Sequence, residues 1–308
     1  MLVAIFGAGP AGMSCANACL SFGLTPVVIE RSDHVGGAQR SNFHPNLWLL
    51  GSPSESGQEL TRRLVSHFGE LKATSMLGTR LLRAEKGEAG FNLQLDTPDG
   101  RRELTVGAIV ITTGMQPRAT PELQELAQES PRVVIGPLNE SIRDDIHNAH
   151  VLILGGGDNA LDHALFLAER GNRIRVCTRG AFSARKALRD ACETLNVIEL
   201  RNHCQPDRLT AGPDAVRAEW GKIGVRYDWL LVMYGYRPNT AMLDDFSAAI
   251  RPALKASGHL HVDGWQRTSV PGVYAAGDVT DSPQPSVPTA IAQGLAAARA
   301  IERDHHVP

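Results

Sequence analysis

The sequence predicts an α/β protein of two Rossmann-like three-layer domains, the second inserted into the first. Three observations carry this expectation. Two glycine-rich turns, Gly7-Ala8-Gly9-Pro10-Ala11-Gly12 and Gly155-Gly156-Gly157-Asp158-Asn159-Ala160, each follow a short apolar run and open onto a helical pattern. A further glycine turn, Gly277-Asp278-Val279, ends another strand-like run far down the chain. A first domain split between the two ends of the chain accommodates all three. The division expected is 1–114 and 237–308 for the first domain and 115–236 for the second. A chain of 308 residues can bury a core in each.

Leu2-Val3-Ala4-Ile5-Phe6 suits a buried parallel strand. Gly7 permits the tight turn, Gly9 leaves room for a pyrophosphate against the backbone, and Gly12 lets the next helix pack closely. That helix, from about Pro10 through Ala11 to Phe22, points its first amides at the phosphates. Pro10 is tolerated because a first-turn amide needs no helical partner. Thr25-Pro26-Val27-Val28-Ile29 is the second strand. Glu30 follows it at about the 20-residue spacing at which an acid accepts hydrogen bonds from an adenosine ribose. Arg31-Ser32-Asp33 is a turn, and Gly36-Gly37 brings a second segment without side chains toward the same phosphates. Arg31 and Gln39 flank these elements and join the candidate set. Ala108-Ile109-Val110-Ile111-Thr112-Thr113-Gly114 reads as another buried strand entering a glycine turn, which adds Thr113 and Gly114. These residues describe a complete adenine dinucleotide site.

The second turn follows His150-Val151-Leu152-Ile153-Leu154, and Ala160 supplies the small residue that helix–sheet contact requires. Its helix runs to a C-cap at Gly171, and Arg173-Ile174-Arg175-Val176-Cys177 is the next strand. At the ribose-selector position stands Thr178, not an acid, followed by Arg179. Loss of the carboxylate disfavours NADH, and an adjacent arginine suits a 2′-phosphate, with Arg185 placed to assist from the following turn. The site therefore leans toward NADPH over NADH. Two other readings stay open: Arg179 as a solvated strand-end residue, and a degenerate site that binds no nucleotide.

With 31 basic and 33 acidic residues the charges nearly cancel, and no block of like charge reaches the length of a nucleic-acid tail. No nucleic acid and no membrane is expected as a partner. Met1 to Phe6 run straight into the first turn without a cationic leader, and no apolar run approaches the about 20 residues of a bilayer span. A cytoplasmic location is the expectation. Cys15, Cys19, Cys177, Cys192 and Cys204 include no Cys-x-x-Cys pair, so neither a dithiol centre nor a zinc knuckle is expected. Cys15 and Cys19 share one helix face and read as small core hydrophobes, as does Cys177.

Gly7 to Gly12, Glu30, Gly36-Gly37, Gly155 to Ala160 and Gly277-Asp278-Val279 together resemble the low-molecular-weight thioredoxin reductase family, which includes the ferredoxin/flavodoxin–NADP reductases of that shape. The likeness spans essentially the whole chain. It implies FAD in the first site, NADPH in the inserted one, a homodimer, and domains that rotate to bring the reacting groups together. It also implies that Asp278 holds the ribityl or phosphate region of FAD. The helix opening at Pro288-Thr289-Ala290 would address the pyrimidine edge of the flavin. Gly235-Tyr236-Arg237-Pro238-Asn239 resembles the segment by which the chain returns from the inserted domain.

The departures from the family pattern are informative. Leu138 and Ser141 fall where a thioredoxin reductase carries its two cysteines, and neither can form a thiolate or a mixed disulfide. The ferredoxin/flavodoxin reductases, which also lack the dithiol, are the nearer relatives. Their C-terminal extension has no counterpart after Arg303-Asp304-His305-His306, where a frayed terminus is expected in place of a histidine covering the flavin. The usual His-Arg-Arg selector is Thr178-Arg179-Gly180 here, and Gln284-Pro285-Ser286-Val287-Pro288 stiffens a loop that is normally Tyr-Arg-Gln-x-x.

The leading expectation is an FAD-dependent oxidoreductase passing electrons from NADPH to an external acceptor such as ferredoxin, flavodoxin, a quinone or a small molecule. Chemistry of this kind belongs to the cofactor, so no catalytic acid or base is nominated, His34, His44 and His163 included. The alternative is an FAD-binding protein with a degenerate nicotinamide site, acting as a sensor, a binding partner or a reductase fed by another donor. A disulfide reductase using Cys15 or Cys19 is a third reading.

Overall fold

The computed structural model describes residues 1–46, 49–52 and 54–305. The chain divides into two compact units, one formed by Met1–Met115 with the chain from Pro238 onward, the other by Gln116–Arg237.

In the first unit, β1 (Leu2–Phe6) leads through the first glycine turn into α1 (Pro10–Ser21) and then β2 (Thr25–Ile29). A 3-10 helix, Gly37–Ser41, precedes α2 (Gly57–Glu70) and β3 (Thr74–Met76). An antiparallel meander follows, β4 (Arg80–Gly87), β5 (Gly90–Thr97) and β6 (Gly100–Val106), and then β7 (Ala108–Ile111). The chain leaves by β8 (Met115–Pro117).

The second unit opens with α3 (Pro121–Glu129), β9 (Val133–Ile135) and α4 (Glu140–Asp144). Next come β10 (His150–Leu154), α5 (Asp158–Ala168), β11 (Arg173–Cys177), α6 (Lys186–Glu193) and β12 (Ile198–Arg201). A second meander, β13 (Arg208–Ala211), β14 (Val216–Trp220) and β15 (Ile223–Tyr227), precedes β16 (Trp229–Val232) and the exit strand β17 (Tyr236–Pro238). Back in the first unit, β18 (Val273–Ala275) and α7 (Val287–His305) complete the fold.

Both units follow one plan. The parallel sheet of the first has the order β18-β7-β1-β2-β3, and that of the second β12-β11-β10-β16-β9. In each, the strand before the glycine turn is central, with its chain successor on one side and a later strand on the other. That is the topological switch point at which open α/β sheets bind ligands.

Strand periodicity explains the layers of the first unit, because successive side chains point to opposite faces. Val3 and Ile5 pack with residues of α1 and α7, including Ala16, Ala297 and Ile301, while Ala4 and Phe6 join Leu81, Phe91 and Leu93 of the meander. The same arithmetic sends Leu152 and Leu154 of β10 toward Val216, Ala218 and Tyr227. No described helix is long and apolar enough to cross a membrane.

α7 crosses α1 on small residues. A Cβ at Gly294 would come within 2.2 Å of the Ala11 carbonyl oxygen, and Ser14 Oγ donates to Ile291 O at 2.7 Å. Cys15 and Cys19 are fully buried in this same core cluster. The hydrogen bond with Cys19, and then burial, push the Cys15 thiol far up, which opposes formation of a thiolate there. One boundary differs from expectation. α5 ends at Ala168 with Glu169 as C-cap, and Gly171 instead takes the left-handed turn beyond it, at φ +77.

Candidate nucleotide sites

Gly7 takes φ +109 and donates to Ile29 O at 2.9 Å, which bends the chain out of β1. A Cβ there would lie 2.6 Å from Thr112 O, and one at Gly12 only 1.9 Å from Gly7 O. Thr112 locks the turn from the neighbouring strand: its buried hydroxyl reaches both Phe6 O and Gly7 O at 2.9 Å. Sequence reasoning selected Thr113 and Gly114 and passed over Thr112, although the three are contiguous. Thr113 Oγ1 donates to Asn239 O at 2.6 Å and Asn239 N to Gly114 O at 2.9 Å, so those two residues anchor the returning chain.

Gly9 is different, since a Cβ there would meet only Gly37 Cα, at 3.9 Å. The space above it is open. Gly36 N donates to Ala8 O at 2.8 Å, which fastens the second glycine segment onto the turn. Gly9 is the N-cap of α1 and no side chain caps that helix, with Pro10 at its first position and Ala11 buried behind it. By contrast, Ser56, Thr120 and Asn139 cap α2, α3 and α4. The first-turn amides behind the glycine turn are thus left for an anion.

Glu30 is oriented by backbone donors: Ala8 N reaches Oε2 and Ser32 N reaches Oε1, both at 2.8 Å. Each oxygen keeps a second lone pair for a diol. Arg31 is exposed beside it, and Gln39 Oε1 accepts from Asn42 Nδ2 at 2.9 Å. Gly277, at φ +80, is held by Gln293, whose Oε1 accepts its amide at 2.7 Å. Asp278 has no hydrogen-bond partner among the described residues, and burial raises its carboxyl above the ordinary value against the opposing pull of His259. α7 begins at Val287, where Ser286 Oγ accepts from Thr289 N at 3.3 Å and Thr289 Oγ1 donates to Gln284 O at 2.8 Å. Ala290 is buried near Gly277, 3.8 Å from where a Cβ would stand. His305 is exposed, and His306 lies outside the described residues.

The second turn repeats the geometry. Gly155 adopts φ +150 where a Cβ would lie 2.3 Å from Met233 O, and its amide donates to Cys177 O at 2.9 Å. Gly157 caps α5 without a side chain, Ala160 is fully buried and Asn159 is exposed. Asp158 is committed locally, its carboxylate receiving the Arg185 amide and Nε at 2.8 Å each. Arg185 is therefore held by Asp158 instead of standing free for a phosphate. Thr178 is buried beneath Gly156, where a Cβ would meet its Oγ1 at 2.8 Å. Arg179 is exposed, stacks on the Tyr234 ring at 5.2 Å, and has no acidic partner among the described residues.

The Leu138 to Ser141 segment is built into a helix cap. Asn139 Oδ1 accepts from Ser141 N at 3.0 Å and from Ser141 Oγ at 2.8 Å. His163, 3% exposed, ties this segment to α5 through Asn159 O and Pro137 O. His163 is thereby a structural residue.

Two Rossmann-like units with glycine turns at their switch points define a two-dinucleotide oxidoreductase. Solved structures agree on the fold: thioredoxin reductase of Lactococcus lactis superposes with a TM-score of 0.76 at 20% identity, covering 98% of each chain. That of T. acidophilum gives 0.76 at 23% identity, covering 98% of this chain and 97% of its own. The chain matches the pyridine nucleotide-disulphide oxidoreductase family over residues 1–294 and belongs to it. Among its relatives are a ferredoxin–NADP reductase of Limosilactobacillus fermentum, 30% identical over 90% of this chain and 84% of that protein. A thioredoxin reductase of Buchnera aphidicola is 27% identical over 97% and 93%. The chain is thus an FAD-dependent pyridine nucleotide oxidoreductase of the thioredoxin reductase-like type.

Proposed function

We propose that the unit containing β1 and α1 holds FAD and the unit containing β10 and α5 holds NADPH, with electrons leaving to an external acceptor. The observation that carries the reading is the Leu138-to-Ser141 segment, where a capped helix start replaces the dithiol. When bound, FAD supplies reversible two-electron chemistry at its ring. The residues present fit it. Gly9 leaves open space, uncapped α1 offers amides to the pyrophosphate, Glu30 is set for the ribose, and Asp278, without a partner among the described residues, awaits a hydroxyl donor. At the second turn the amides behind Gly157 take the pyrophosphate, and Arg179 takes the 2′-phosphate. Arg185 braces Asp158 instead of sharing that role. Gln293 and Thr112 are positioning residues for the two ends of the flavin site.

A small iron–sulfur protein or a flavodoxin is the proposed acceptor, in keeping with the ferredoxin–NADP reductase names of several relatives. A homodimer and a cytoplasmic location belong to the same proposal. The test is steady-state turnover with NADPH against ferredoxin, flavodoxin, a quinone and thioredoxin. Reduction of ferredoxin or flavodoxin without thioredoxin supports the reading, and turnover with thioredoxin, or with the quinone alone, contradicts it. A second reading, a flavoprotein with a weak nicotinamide site, draws on buried Thr178 at the selector and on the pairing of Arg185.

A further inference from the structure

Cys177 and Cys204 stand far apart in sequence, yet their sulfurs lie 3.3 Å apart. Cys177 ends β11 in the core of the second unit, and Cys204 packs against that core from the loop after β12. Backbone contacts fix the approach: Cys204 N donates to Thr178 O at 3.0 Å, and Trp220 Nε1 donates to Cys204 O at 3.2 Å. His203, just before Cys204, holds the left-handed φ of +48. Of the five cysteines, Cys204 alone is not buried.

We propose that Cys177 and Cys204 are a redox site that closes to a reversible disulfide and thereby loosens the adjoining nucleotide turn. Closure shortens the sulfur separation from 3.3 Å to about 2.05 Å. The displacement falls on Cys177, whose carbonyl holds Gly155 N, and on the next residue, Thr178, which supports Gly156 from below. Both are fixed points of the phosphate turn.

Hydrogen peroxide serves as the oxidant. The Cys204 sulfur attacks one peroxide oxygen, the O–O bond breaks, and the departing hydroxide takes the thiol proton as water, leaving a sulfenic acid. The Cys177 sulfur then attacks that sulfenic sulfur. The S–S bond forms, the S–O bond breaks, and a second water leaves with the Cys177 proton. The thiol pair loses two electrons and the peroxide becomes two waters. Burial, first, and the hydrogen bond with Cys204 push the Cys177 thiol up, in keeping with Cys204 reacting first.

The test treats the flavin-loaded protein with peroxide, alkylates the remaining thiols and maps peptides by mass. The expected results are a Cys177–Cys204 linked peptide and a rise of about fivefold or more in KM for NADPH, both reversed by dithiothreitol. Cys204→Ser should show neither, and Cys177→Ser should stop at a sulfenic acid trapped by dimedone. Absence of the linked peptide overturns the proposal. A linked peptide with unchanged KM overturns its coupling to the turn. The link is scored by mass alone, so its failure is distinct from failure of the nucleotide assignment on which the KM readout rests.

Discussion

Glu30 is committed by two backbone amides before any ligand arrives, so its side chain acts as a fixed acceptor. Glu30→Gln puts an N–H against one of those donors, at a cost of about 1–3 kcal/mol. The expected outcome is a lower melting temperature and a flavin-to-protein molar ratio well below one. A full complement of flavin would contradict the assignment. Asp278 behaves oppositely. Burial raises its pKa in the folded chain, so its contribution favours folding below the ordinary carboxylate pKa and is lost as pH rises through the raised one. In flavin-free protein, Asp278→Asn should therefore raise the melting temperature at pH 7 and leave it unchanged near pH 3, while lowering flavin retention. Arg179 and Arg185 separate cleanly as well. Arg179→Ala should raise KM for NADPH about tenfold or more with little change for NADH, as loss of a charge-assisted phosphate contact of 1.5–3 kcal/mol requires. Arg185→Ala, which removes an exposed ion pair with Asp158, should change either KM by less than about fivefold. Equal effects of Arg179→Ala on both nucleotides would remove it from the 2′-phosphate site.

Helix starts divide by what stands in front of them. Side chains cap α2, α3 and α4, whereas α1 and α5 open behind glycines with no capping side chain. Gly12→Ala drives a methyl into Gly7 O and should destabilise the fold by about 1–3 kcal/mol or more, read as a fall in melting temperature with loss of flavin. At the other end of α7, Arg267 donates to both Asp304 oxygens at 2.7 Å and Tyr274 Oη donates at 2.8 Å, tying the helix to β18. The strands and helices next to the two turns were legible because apolar runs and glycines mark them together. The meanders β4–β6 and β13–β15 were not read. Phe91, Leu93 and Leu95 do alternate as a half-buried strand should, but β13 and β15 are too polar and short to announce themselves. Gly171 was legible as a helix stop but lies past the helix end, because a left-handed glycine closes the turn after the cap.

The two units repeat one plan, with a central strand and a glycine turn in each, but they differ in what surrounds the turn. Around the first, Gly7, Glu30 and Gly277 are each held by the surrounding chain, and Thr112 and Gln293 add fixings that sequence alone did not reveal. Their roles depend on contacts with Phe6, Gly7 and Gly277 that only the folded sheet creates. Around the second, Thr178 is buried and Arg185 is paired with Asp158, whereas Arg179 has no acidic partner among the described residues. The Cys177–Cys204 approach was equally invisible, because it joins a strand end to a loop 27 residues away. Membership of the family and a glycine turn at the switch point of each sheet predict that nicotinamide and flavin exchange electrons in this chain. Anaerobic mixing of the flavin-loaded protein with NADPH, followed at the oxidised flavin band, tests that directly. The account predicts rapid bleaching by NADPH and slower bleaching by NADH. An oxidised band that persists with either nucleotide at millimolar concentration would contradict it.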